Sequence, residues 1–218
     1  MKKENFVKTL MLVLMAILFI VPSLAGAAEQ TKKKEPVSAE AKNVATLAEE
    51  RFENFICYNN YFTAKIPAGW NKYEDILDGE ATREYGVDLQ GPQNKDGAYT
   101  SITVIYYLPD HVMFQTVEKF IEVNANPNDY MNRHGETVTP VKEIPLAGTS
   151  ASTFDRKTFL FIPPYAVKPN KIPMFERLIV LKAKEGFYVL KFSSPEDSYP
   201  NYLGTFEKVV KSFKPNRH

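Results

Sequence analysis

The chain has 218 residues, with 27 Lys and Arg against 26 Asp and Glu, for a formal net charge of +1. That near-balance excludes a general binder of nucleic acid or of anionic membranes, which would carry a basic excess. With 44% hydrophobic residues, the chain is long and apolar enough to bury one sizeable core.

Lys2, Lys3 and Lys8 flank the start of an apolar run from Leu10 to Val21. The run is too short to span about 30 Å of hydrocarbon at about 1.5 Å per residue. Ala25 and Ala27 then supply the small side chains that the shallow pockets of signal peptidase accept. This order predicts a cleavable secretory signal peptide over 1–27, cut before Ala28. Cleavage removes three lysines and one glutamate and leaves a net charge of about −1. No cysteine stands at the cut, so a lipoprotein signal is not indicated. The mature chain is expected in the periplasm or outside the cell, with no stable membrane span.

Residues 28–53 read as a linker containing a possible short helix. Glu29 to Glu40 is polar and Lys-rich. Val44, Leu47, Ala48, Phe52 and Phe55 then fall near helical spacing between Ala39 and Phe55. Cys57 is the only cysteine, so an intrachain disulfide is impossible. Its apolar neighbours read it as a buried small hydrophobe rather than a reactive thiol.

From Tyr61 the period changes to two, with Phe62, Ala64 and Ile66 on one face. Pro67-Ala68-Gly69 turns the chain before Trp70. Tyr85–Leu89 and Tyr99–Leu108 read as strands. In the second, Ile102, Val104 and Tyr106 share one face while Ile105 and Tyr107 share the other, so both faces are expected to be covered. Thr116–Ala125 reads as a helix with Thr116 as its N-cap. Thr137–Ile144, Ser150–Ile162, Phe175–Lys184 and Phe187–Ser193 read as strands, the last two joined by a tight hairpin at Gly186. Tyr199, Tyr202, Leu203, Phe206, Val209, Val210 and Phe213 make the apolar stripe of a closing helix, with Pro200 in its first turn and Gly204 weakening it. Helices and strands are segregated, which gives an α+β class with a C-terminal amphipathic helix packed on the sheet.

Two segments carry a family resemblance. Tyr61-Phe62-Thr63-Ala64-Lys65-Ile66-Pro67-Ala68-Gly69-Trp70 resembles the opening strand and P-x-G-W turn of the PsbP-like superfamily. Phe187-Tyr188-Val189-Leu190-Lys191-Phe192-Ser193-Ser194 and the helix ending Lys211-Ser212-Phe213 resemble that family's last strand and closing helix. The superfamily includes the PsbP subunit of the oxygen-evolving complex, a yeast Ran-binding protein and bacterial DcrB-type envelope proteins. The resemblance covers about Asn54 to Lys214 and implies a PsbP-like α+β domain over 54–214, with a central antiparallel sheet sandwiched by helices. It brings no shared catalytic set, and nothing here reads as a thylakoid transit peptide.

Motifs for chemistry are weak. Gly148-Thr149-Ser150-Ala151-Ser152 lacks the final Gly of a nucleophile elbow. His111, His134 and His218 are far apart and form no H-x-x-x-H pair. Asn124, Asn126 and Asn128 imitate the start of an EF-hand loop, but the twelfth position is Gly135 rather than Glu. Glu74, Asp75, Asp78, Glu80 and Glu84 read as a solvated acidic loop. No catalytic residue, cofactor or metal is assigned.

One segment does stand out, Pro163 to Pro173, a stiff Pro-rich connection between two strands. Its Tyr165, Val167, Lys168, Lys171 and Ile172 are the expected partner-binding residues, because pre-ordered loops lose less entropy on binding. The expected job is that of an exported, non-catalytic scaffold, assembly or binding factor for another exported or envelope protein. The alternative is a periplasmic hydrolase or small-ligand-binding protein whose site is assembled from distant residues.

Overall fold

Period-two patterns of aromatic and β-branched residues build the centre of the molecule. The computed structural model describes residues 50–74, 76–125 and 135–216. The expected signal peptide, its expected cleavage point and most of the expected linker lie outside these residues, as do His134, His218 and Asn126 to Asp129. In chain order the strands and helices are β1 (Phe52–Ile56), β2 (Phe62–Pro67), β3 (Asn71–Tyr73), α1 (Ile76–Thr82), β4 (Glu84–Gln93), β5 (Tyr99–Tyr107), α2 (Val117–Ala125), β6 (Thr137–Val138), β7 (Lys142–Leu146), β8 (Thr149–Ile162), β9 (Asn170–Lys182), β10 (Phe187–Pro195), α3 (Tyr199–Ser212) and β11 (Lys214–Pro215).

The strands form two sheets. The smaller has order β1-β2-β11; the larger, eight-stranded, runs β3-β4-β5-β10-β9-β8-β6, with β7 also paired to β8. Every pairing is antiparallel. The α+β class read from the sequence is the one the chain adopts.

Alternation divides the core into two layers. On one face Ile102, Val104, Tyr106, Tyr188, Leu190 and Phe192 meet Phe206, Val209 and Phe213 of α3 and Phe62, Ala64 and Ile66 of the small sheet. On the other, Tyr107, Phe187, Val189, Leu178 and Val180 meet Phe120 and Ala125 of α2. Both faces of β5 are therefore covered, as its residues predict. Each large apolar side chain buried here contributes roughly 1.5–3 kcal/mol.

The P-x-G-W turn has a packing role. Trp70 meets Tyr202 of α3 edge-on, ring centroids 6.0 Å apart. Its indole lies so close to Gly91 of β4 that a Cβ there would stand 2.7 Å from the ring. Gly91 thus makes room for the motif's tryptophan.

Two segments fold differently from their sequence pattern. Phe52 and Phe55, placed on a helical stripe, lie in β1, because the open edge of β2 offers a ladder: Phe55 pairs with Ala64 and packs on Phe62 at 5.9 Å. The middle of the acidic stretch, with Asp78 and Glu80, is a helix, α1, rather than a loop, and Glu84 opens β4. Arg83 closes it in the left-handed region at φ 65°, donating its N–H to Gly79 O at 2.9 Å, a place more often taken by Gly.

Candidate functional site

The candidate site grows from a mismatch in strand length. β8 and β9 pair as far as Ile162 opposite Asn170. β10 follows β9 only to Met174, opposite Pro195, and β6 follows β8 only to Lys157. The pairs from Phe159↔Pro173 to Ile162↔Asn170 therefore run on as a two-stranded arm with no further strand beside it among the described residues. At about 3.3 Å per residue, four pairs carry the arm about 13 Å past its neighbours. Pro173 O accepts the N–H of Glu196, the residue just past β10, at 3.0 Å, and at this strand end its missing N–H costs the ladder no bond.

At the tip, Ala166 donates its N–H to Pro163 O at 3.2 Å. This closes a turn with Pro164 and Tyr165 at its corners, Pro164 in the position that Pro favours. Tyr165 and Val167 are each 98% exposed and Leu160, on the arm, is 39% exposed. Lys168 is exposed as well. The Lys171 ammonium lies over the Phe159 ring, 3.7 Å from its centroid, so its charge is engaged within the arm.

Ile172 is a correction. It is buried against Ala98 and Met174, because β9 starts at Asn170 and alternation turns residue 172 inward. The tip that faces solvent is 163–169, not the whole of 163–173. Tyr165, Val167 and Lys168 come together there, Lys171 stands at the base and Ile172 belongs to the core. Leu160 was missed; the length of β8, fourteen residues against nine in β10, was the signal of an overhang.

The other chemical features resolve into structural roles. His111 Nδ1 accepts the N–H groups of Met113 and Phe114 at 3.2 and 2.9 Å, and its Nε2 faces Glu84 at 3.3 Å. Both ring nitrogens are taken, which leaves neither to activate a nucleophile. Ser150 and Ser152 lie on a strand, not on a strand-to-helix turn, and both donate to the Glu143 carboxylate. Those bonds, Ser150's first, hold that carboxyl below its ordinary range. Asn124 spans α2 and β8, donating to Phe120 O and accepting from Arg156. Glu74 pairs with Lys72 at 3.2 Å. Among the described residues no group of three or more His, Cys, Asp or Glu could hold a metal ion. Cys57 is buried, and burial, with the Glu74 charge second, pushes its thiol up to about 12.

No family model and no curated protein matches the sequence. Solved structures do. The chain is similar in fold to PsbP-type proteins. It matches cyanobacterial PsbP from Synechocystis sp. PCC 6803 at 12% identity and a TM-score of 0.48, covering 78% of this chain and 95% of that one. It matches the Saccharomyces cerevisiae Ran-binding protein Mog1p at 12% identity and a TM-score of 0.43, covering 76% and 96%. LpqN of Mycobacterium tuberculosis, a protein involved in cell envelope biogenesis, matches at 10% identity and a TM-score of 0.41, covering 76% and 91%. A PsbP and the yeast Ran-binding protein are two of the groups that the sequence resembles. At these identities the likeness is one of fold.

Proposed function

We propose that the protein is exported and acts without catalysis, as a scaffold or assembly factor that grips another envelope protein with the tip of the β8–β9 arm. The observation that carries this reading is the exposure of Tyr165 and Val167, 98% each, on an arm that outruns its sheet. An aromatic and an aliphatic held fully in water gain from burial against a partner. The turn that presents them is already ordered by Pro163, Pro164 and Pro169, so less entropy is lost on binding. Export rests on the order of basic, apolar and small residues over 1–27. N-terminal sequencing of the protein from the exported fraction is expected to begin at Ala28 or within a residue or two; a start at Met1 would refute export by cleavage.

A photo-crosslinking residue placed at Tyr165 tests the contact. It is expected to give a discrete adduct in intact cells, whose partner mass spectrometry identifies. The same residue at Lys184, exposed in the hairpin at the other end of β9, is expected to give none. Identical products from both positions would count against the arm as the contact.

A further inference from the structure

α3 lies over β2, β10 and β5, so the α3-side face of the large sheet is only partly covered. Between the flank of α3 and strands β7, β8 and β9 runs a groove of about 620 Å³, within the roughly 300–1,000 Å³ of small-molecule sites. Its apolar lining includes Ile144, Leu146, Ile179, Phe206, Val210 and Phe213. The backbones beneath are engaged with one another, β7 with β8 and β8 with β9. Among the described residues no buried side-chain N or O lacks a hydrogen-bond partner. Apolar side chains make up the larger part of the groove's surface.

Charge stands at the rim. Arg177 holds both oxygens of Asp155, at 2.8 and 3.0 Å, and these two charges cancel. Lys142 and Lys211 remain, against Glu207. The other flank of the same helix end adds to the positive field. A second groove there, of about 590 Å³, is lined by Lys65, Lys208 and Lys214, shares Lys211 and has no carboxylate in its lining. Lys208 is paired with Glu50 at 3.8 Å, which leaves Lys65, Lys211 and Lys214 on that flank. A helix C-terminus favours cations, but its dipole equals only about half a charge. With Lys208 set aside, four lysines around one helix end, Lys65, Lys142, Lys211 and Lys214, exceed what that dipole accounts for.

We infer that the groove between α3 and β7 is a binding site for a single-chain amphiphile with an anionic head, a fatty acid. The acyl chain lies along Ile144, Ile179 and Val210, and the carboxylate sits at Lys142 and Lys211. A bilayer surface fits less well, because the apolar groups are recessed in a concavity. No lining residue belongs to the 159–173 arm, so this site and the protein contact fail or stand separately.

Isothermal titration of the full chain with dodecanoate, below its critical micelle concentration, tests the inference. Saturable one-to-one binding is expected. Dodecyl maltoside, with the same chain and a neutral head, is expected to bind about tenfold more weakly or worse. Lys142→Glu with Lys211→Glu is expected to weaken dodecanoate by about tenfold or more. Val210→Trp, which fills the floor, is expected to abolish it, while Tyr165→Ala with Val167→Ala leaves it unchanged. Should Val210→Trp not fold, the lysine pair decides alone, since both lysines are exposed. The inference is overturned by the absence of saturable dodecanoate binding, by equal affinity for the two heads, or by an affinity that survives the lysine reversals. A hexaglutamate peptide that binds where dodecanoate does not would assign the groove to an acidic protein segment instead.

Discussion

Within one stretch of chain, Tyr165 and Ile172 illustrate how a single residue's setting decides its role. Both are apolar and both adjoin a proline, yet one is bare and the other is 4% exposed. Ile172→Ala is therefore expected to cost roughly 2–4 kcal/mol, the range for emptying a buried aliphatic site. A fall in the urea midpoint checks it, and an unchanged midpoint would place Ile172 outside the core. Cys57 offers a second residue-scale outcome. Its reading as an inert core residue came from its apolar neighbours, and its burial agrees. Thiol labelling at pH 8 is expected to fail on the folded protein and to go to completion in urea. The pH dependence follows by sign. The folded thiol keeps its proton up to about 12, whereas the unfolded thiol loses it near its ordinary 9.0. Above about pH 9 the folded state thus binds more protons, and the Cys57 contribution to stability falls as pH rises towards 12. Serine at this position would remove that alkaline loss.

Among the elements, the closing helix was the most legible in sequence and the first strand the least. The stripe from Tyr199 to Phe213 repeats at three and four over four turns, and α3 buries Phe206 and Val209 along it. Phe206 is 1% exposed and stacks on Phe192 at 5.5 Å. Phe206→Ala is expected to cost roughly 3–5 kcal/mol, a large part of a typical 5–15 kcal/mol total, read as a lowered urea midpoint. Gly204 works in the opposite sense. A Cβ built there meets nothing within 4 Å, so Gly204→Ala is expected to add about 0.5–1 kcal/mol of stability. A decrease would mean that the helix needs the glycine for a reason its surroundings do not reveal. β1 was illegible because its five residues put only Phe55 fully inward; the open edge of β2, a long-range feature, decides its state. The Lys184-Glu185-Gly186 hairpin was legible because Gly186 sits at φ 72°, where a Cβ would stand 2.0 Å from Tyr107 O.

At the scale of the whole molecule, the two-layer core was readable where strands carry apolar residues on both faces, as β5 and β10 do. The site was readable only in part. The Pro-rich composition marked the tip, but the arm arises from β8 and β9 outrunning β10, and no local pattern states where a neighbouring strand stops. The α3–β7 groove was invisible for the same reason: it is made by what α3 leaves uncovered. Among the described residues no helix is long and apolar enough to cross a membrane. The account of the molecule as a binding factor rests on the arm, and the pair Tyr165→Ala with Val167→Ala tests it most directly. Melting temperature and capture of the partner identified by crosslinking are measured on the same sample. The expected result is an unchanged melting temperature with capture clearly weakened. A melting temperature lowered by several degrees, or capture equal to that of the unsubstituted protein, would contradict it.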